Sequence, residues 1–378
     1  MGCGASKPSE AVQPAPTPEA NNTKPAPASQ PAADTGASKA APAAPTPAAP
    51  VAGGQGVLPH PPPSGPKMKE LSEQMAGDDL LVNMYYPEDI EKRTGAPLIV
   101  YQHGRGSTHH VYQAIFSRWV AMGYVVIFPY KKNSAVPGED PPWPSTALDE
   151  SPDGIEMQVA LKKMISASSD TSSPFFGGRV DTKNVALGGH SMGGKSSICA
   201  GAQIEPRALL LHSPSCSSEG SEVYDLSKEQ IEDRFKGLAK DKTPIMLVTS
   251  DEDVRQEAVL SIYEAEGLAA CPRLYLQFSK EACELVHSTI IEHFKPPRTV
   301  FKPEFMANEG GREFMAHCYM GAGGVNDPSL KWGEVFMRLY LEKRGDKASA
   351  EYKMLFGDGP DSISKDKMIS ILKVSPGA

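Results

Sequence analysis

Apolar residues along this chain fall into two alternating rhythms. Short runs rich in Val, Ile, Leu and Tyr predict strands over 81–86, 97–102, 124–129, 184–188, 208–212, 245–249 and 273–278. Between them apolar positions recur at helical spacing and predict helices over 111–122, 154–165, 192–202, 228–238, 257–266 and 332–342. Strands alternating with helices are the pattern of an α/β fold, a mostly parallel central sheet with helices on both faces. In such sheets reactive groups gather on loops beyond the carboxyl ends of the strands. Those loops are where chemistry is to be sought.

Ahead of the first strand the rhythm disappears. Residues 8–66 are mostly Pro, Ala, Ser and Thr, with too few large apolar side chains to offset the entropy of ordering. They predict a disordered Pro/Ala-rich tether, extended by its Pro-Ala pairs, in front of a single α/β domain at 67–378. Residues 1–7, Met-Gly-Cys-Gly-Ala-Ser-Lys, fit the N-myristoylation pattern, with Gly2 exposed once Met1 is removed. One myristoyl chain binds membranes only reversibly, with an association constant of about 10⁴ per molar, so stable anchoring needs a second signal. Cys3 can supply it as a site of palmitoylation, and the basic cluster that could replace it is missing, because Lys7, Lys24 and Lys39 lie far apart.

Composition narrows the function classes. A formal net charge of -8 leaves no basic face to neutralise phosphates, which argues against nucleic acid as a partner. No stretch approaches the roughly 20 apolar residues of a spanning helix, and the first residues lack the apolar core of a secretory signal. The expected location is therefore the cytoplasmic face of a membrane, held by lipids on Gly2 and Cys3, with the chain monomeric. The six cysteines form no C-x-x-C pair and no zinc-like spacing, so neither a metal nor another cofactor is expected. They read as free thiols, with a disulfide between Cys283 and Cys318 the weaker alternative.

The segment Asn184-Val-Ala-Leu-Gly-Gly-His-Ser-Met-Gly-Gly-Lys195 runs from an apolar strand through Gly-x-Ser-x-Gly into a helix of small residues. This is a nucleophile elbow, a sharp turn that exposes Ser191 and requires glycine at 189 and 193, where side chains would collide. The helix behind Ser191 offers the Met192 N–H to a developing oxyanion. Gly193-Gly194-Lys195-Ser196 is read as the start of that helix, and phosphoryl transfer is set aside. The strand at 97–102 leads into His103-Gly104-Arg105-Gly106, a glycine-rich loop suited to donate a second N–H, and Arg105 is the expected donor. His190, beside the nucleophile, is expected to line the acyl pocket.

A serine nucleophile needs a histidine base and a carboxylate to orient it, and behind such an elbow they follow in the order Ser, Asp, His. Ser250-Asp251-Glu252-Asp253 follows the strand at 245–249, and Asp253 is preferred to Asp251 as the acid. His317, in a glycine-rich loop before the closing amphipathic helix, is preferred as base to His287, whose surroundings at 280–294 have helical spacing.

Together these residues resemble the α/β-hydrolase superfamily, and within it the branch of bacterial cutinases, polyester hydrolases and dienelactone-hydrolase-like enzymes. The resemblance spans about 81–356 and rests on Gly189-His190-Ser191-Met192-Gly193-Gly194, with Val180-Asp181-Thr182-Lys183-Asn184 similar to the branch's lead-in and Arg105 in the place of its first oxyanion donor. The chain departs from it at His103-Gly104, where the branch has Pro-Gly, and at 279–314, a longer link before the histidine. The resemblance implies the α/β-hydrolase fold and a serine hydrolase that cleaves carboxylic ester or thioester bonds through an acyl-enzyme. Its expected substrates are small-molecule or lipid esters met at the membrane. The alternative is a lipid-anchored scaffold or binding protein that keeps the fold without turnover.

Overall fold

Each apolar run that predicts a strand forms one. A computed structural model of the chain describes residues 68–74, 80–104, 107, 109–132, 146–147, 154–170, 172, 177–221, 226–293 and 315–377. The chain divides into Met1–Gln55 and Gly56–Ala378, and every described residue belongs to the second unit. Gly2, Cys3, the tether at 8–66 and Arg105 lie outside the described residues.

The strands are β1 (Met68–Gln74), β2 (Leu80–Pro87), β3 (Ala96–Gln102), β4 (Val125–Lys132), β5 (Thr146–Ala147), β6 (Val180–His190), β7 (Ala208–His212), β8 (Ile245–Ser250), β9 (Arg273–Phe278) and β10 (Ile369–Ser375). They make one sheet in the order β1-β2-β4-β3-β6-β7-β8-β9-β10, with β5 paired to β4. From β4 to β9 neighbouring strands on this path are parallel. β1, β2 and β10 extend the two edges in antiparallel pairs. The fold is α/β with a mostly parallel sheet, as the rhythm of the sequence predicts.

The helices are α1 (Gln113–Ala121), α2 (Ile155–Ser169), α3 (Met192–Ile204), α4 (Lys228–Lys240), α5 (Gln256–Glu264), α6 (Lys280–His293), α7 (Ser329–Leu341) and α8 (Ala350–Phe356). α4 starts where its sequence dictates: Ser227 accepts the Gln230 N–H, and the Gln230 side chain returns a bond to the Ser227 N–H. Successive strand residues supply opposite faces of the sheet. Ile99, Tyr101, Val126, Phe128 and Leu210 face one core with Trp119 of α1, Val286 of α6 and Trp332 of α7. Leu98, Val100, Ile127, Leu209 and Leu211 face the other with Met157 of α2, Ile198 of α3, Phe235 of α4 and Ile262 of α5. Both faces being covered is what keeps the central strands apolar throughout. No helix among the described residues is long and apolar enough to cross a membrane.

The connection from β3 moves to β4 on one side, whereas β6 joins β3 on the other. The carboxyl ends of β3 and β6 therefore flank the point where strand order reverses, the place where open α/β sheets form ligand crevices. His103-Gly104 leaves β3 there, and Ser191 leaves β6 beside it.

Candidate active site

Strand β6 passes into α3 through a single residue, Ser191, held at φ 56° and ψ -116°. A positive φ is costly for a residue with a Cβ, by about 1–3 kcal/mol, and persists only where the surroundings enforce it. Three main-chain bonds enforce it here. The Ser191 N–H donates to the His212 carbonyl at 2.9 Å, and the Ser191 carbonyl accepts from the Ser215 N–H at 2.9 Å and the Lys195 N–H at 3.2 Å. The two expected glycines are needed for space: a Cβ on Gly189 would lie 2.2 Å from the Gly193 carbonyl carbon, and one on Gly193 2.1 Å from the Gln102 oxygen. Gly193→Ala should therefore lower stability by about 3 kcal/mol, read from the urea midpoint. A parent-like midpoint would remove the steric account of the turn.

The spacing of Gly189, Gly194, Lys195 and Ser196 does fit the Gly-x-x-x-x-Gly-Lys-Ser pattern of phosphate-binding loops. Geometry separates the two. A phosphate loop needs a run of free backbone N–H groups between strand and helix, whereas here the strand reaches His190, the helix begins at Met192, and Lys195 is fully buried.

His317 Nδ1 lies 3.0 Å from Asp253 Oδ1. Asp253 comes from the loop after β8, so two residues separated by 64 positions meet as the order Ser, Asp, His requires. Asp253 is 1% exposed and its carboxylate accepts four bonds. Oδ1 takes the His317 N–H and the Arg255 N–H at 2.8 Å. Oδ2 takes the hydroxyls of Ser213 at 2.5 Å and Thr249 at 2.8 Å. Burial alone would raise the Asp253 pKa, but the electrostatic attraction of His317, its hydrogen bond, the Ser213 hydroxyl and the Arg255 N–H outweigh it and hold the carboxyl below its ordinary range. Because a carboxylate only accepts, His317 Nδ1 carries the proton and Nε2 is left with its lone pair.

The rival residues sit elsewhere. Asp251 accepts from Gln277 Nε2 at 2.7 Å and from Ser370 Oγ at 2.5 Å, tying the end of β8 to β9 and β10. His287 lies on α6, with Nδ1 2.8 Å from the Tyr319 hydroxyl. Met192 opens α3, and the first N–H groups of a helix have no partner within it.

Other features of the site were not legible beforehand. The Ser191 hydroxyl bonds to the Ser215 hydroxyl at 2.8 Å rather than to His317. Ser213 and Ser215 stand at the carboxyl end of β7, next to β6, and a polar cluster in His212-Ser-Pro-Ser-Cys216 is the signal that could have pointed to them. His190 does not line an open pocket. It is 1% exposed, with Nδ1 2.9 Å from the Tyr112 hydroxyl and Nε2 3.2 Å from the His317 carbonyl. The Gly104 N–H donates to Tyr112 at 2.9 Å and is thereby removed from the set of free donors near Ser191.

No group of three or more His, Cys, Asp or Glu among the described residues is arranged to hold a metal. The described cysteines 199, 216, 271, 283 and 318 are all buried, and none of them is joined in a disulfide. In comparisons with known proteins, the chain matches no family model and no curated sequence.

Proposed function

We propose that this chain is a serine hydrolase of the α/β-hydrolase fold that cleaves carboxylic ester or thioester bonds, with Ser191 as nucleophile, His317 as base and Asp253 as the acid that orients it. The observation that carries the reading is the buried Asp253–His317 pair, joined through the His317 carbonyl to His190, the neighbour of a serine held in strained backbone geometry between strand and helix. Strain maintained by several bonds is characteristic of residues whose position matters more than their stability.

In this reading Ser191 Oγ attacks the substrate carbonyl carbon while His317 Nε2 takes its proton. The carbonyl oxygen becomes an oxyanion, stabilised by the Met192 N–H and by Arg105 in the loop after β3. His317 then protonates the departing alcohol or thiol, leaving an acyl-enzyme. Water, deprotonated by the same nitrogen, attacks the acyl carbon, and Ser191 is released with the acid. No step calls on a cofactor. Lipidation at Gly2 and Cys3 would hold the chain at a cytoplasmic membrane face, and lipid esters or acylated proteins are the substrates such a tether favours.

One observation favours the second reading, a lipid-anchored binding protein without turnover: the Ser191 hydroxyl rests on Ser215 instead of His317. Catalytic hydrogen bonds are often loose before substrate binds, and labelling with a fluorophosphonate probe separates the two readings. The parent chain and His287→Ala are expected to label within minutes, whereas His317→Ala labels at least about 100-fold more slowly, in line with the loss of a general base. A well-folded parent that stays unlabelled would establish the binding-protein reading instead.

A further inference from the structure

A chain of hydrogen bonds crosses the floor of the site, and the chemistry of its ends fixes the direction of every bond. At one end the Gly104 N–H, which can only donate, points at the Tyr112 hydroxyl oxygen at 2.9 Å. At the other end the His317 carbonyl, which can only accept, lies 3.2 Å from His190 Nε2. Nε2 of His190 therefore carries the proton, so its Nδ1 is an acceptor. Tyr112 has one proton to give, and its oxygen lies 2.9 Å from that Nδ1. The order is then Gly104 N–H to Tyr112 O–H to His190 to the His317 carbonyl. All four residues are buried.

We propose that Tyr112 and His190 are positioning residues that lock the loop after β3 to the backbone of the base, so that the two halves of the site keep a fixed separation. This rests on the serine-hydrolase reading and deepens it. Gly104 stands two residues past the end of β3, and Tyr112 ends the single turn His109–Tyr112 that leads into α1. His190 is the last residue of β6, adjacent to the nucleophile. The loop after β3, the turn before α1, the end of β6 and the backbone of His317 are thus joined through two side chains. Neither residue reaches the reacting atoms; each acts through what it holds.

Two further observations support a fixed polarity. Burial, with a smaller contribution from the neighbouring His317, pushes the His190 pKa down to about 3, which keeps the ring neutral with one donor and one acceptor. Burial likewise raises the pKa of Tyr112, which keeps its proton. The ring of His190 also packs against that of His317, with centroids 5.3 Å apart, so a change in one is felt by the other.

The test uses the full chain and three variants: Tyr112→Phe, which removes one oxygen; His190→Gln, which keeps a donor and an acceptor; and His190→Leu, which keeps neither. Competent sites are counted by fluorophosphonate labelling, thermal midpoints are recorded, and turnover of p-nitrophenyl butyrate is measured per labelled site. Since a displacement of about 1 Å can cost a hundredfold in rate, Tyr112→Phe is expected to lower kcat by about 10- to 100-fold with KM within about twofold of parent. His190→Gln should retain at least about five times the kcat of His190→Leu, and Tyr112→Phe combined with His190→Leu should fall little further than the worse single variant, because a broken chain cannot be broken twice. A kcat per labelled site within about twofold of parent in Tyr112→Phe and His190→Leu overturns the proposal while leaving the hydrolase intact, and so do losses that multiply in the double variant. A parent that neither labels nor turns over ester overturns the hydrolase reading and the positioning role with it.

Discussion

Ser191→Ala is expected to lower kcat on an activated ester by roughly 10⁶-fold, the scale on which serine nucleophiles contribute when removed alone. The reason lies in how much of the molecule is arranged around one hydroxyl. Bonds from His212, Ser215 and Lys195 hold the residue at φ 56°, and neither Gly189 nor Gly193 could carry a side chain there. Alanine keeps the backbone and removes only the attacking atom, so stability should change by no more than about 1 kcal/mol, the worth of the lost bond to Ser215. Ser191→Gly should go further and stabilise the chain by about 1 kcal/mol, because glycine carries no penalty at positive φ. Kinetics and thermal melts of the two variants together check this. Turnover within tenfold of parent in Ser191→Ala would sink the assignment of the nucleophile.

Asp253→Asn is expected to lower kcat by about 10⁴-fold, whereas Asp251→Asn stays within about threefold of parent. Asp253 receives donors on both oxygens, from His317, Arg255, Ser213 and Thr249, so an amide in its place directs N–H groups at a donor and favours the wrong tautomer of His317. The Asp251 carboxylate accepts from Gln277 on β9 and Ser370 on β10. A pH effect accompanies the first substitution. The folded-state pKa of Asp253 is depressed, so its charged form contributes stability that is present above the unfolded value of about 3.9 and is lost as pH falls through the folded one. Asp253→Asn lacks that contribution, and the stability gap between parent and variant should narrow below about pH 4. Equal gaps at pH 7 and pH 3, measured by urea unfolding, would mean that the carboxylate is not held by its partners as described.

The elbow was legible in the sequence because every part of it is local: an apolar strand, the glycines, the serine and the helix follow one another within twelve residues of chain. The central strands were legible for a related reason, since burial on both faces leaves unbroken apolar runs. The edges were harder. β1 reads Met-Lys-Glu-Leu-Ser-Glu-Gln, too polar to stand out, and β10 alternates Ile-Ser-Ile-Leu-Lys-Val-Ser, a strand signal that lay beyond the last element expected. Chain order left two acids and two histidines open, and only tertiary contact separates them, because Asp253 and His317 meet across 64 positions. The neighbours that hold the site, Ser213, Ser215, Thr249 and Tyr112, carry no spacing relative to Ser191 that could mark them. His190 shows the limit most clearly: its place next to the nucleophile suggested contact with substrate, whereas the fold turns it inward to Tyr112 and the His317 carbonyl.

The pairing of Asp253 with His317 has a bearing on how the molecule is made. Synthesis proceeds from the amino end, and Ser191 emerges long before the segment that carries His317. Until the turn around His317 has docked against the ends of β6 and β8, the proposed base is not in place and the serine is expected to behave as an ordinary alcohol. If the proposed hydrolase chemistry holds, a half-made chain is chemically inert, and reactivity toward a serine-directed probe becomes a clock for the last long-range contacts to form. In a refolding reaction, labelling should lag behind the gain of secondary structure by the time those contacts take, which ties the onset of chemistry to the completion of the fold.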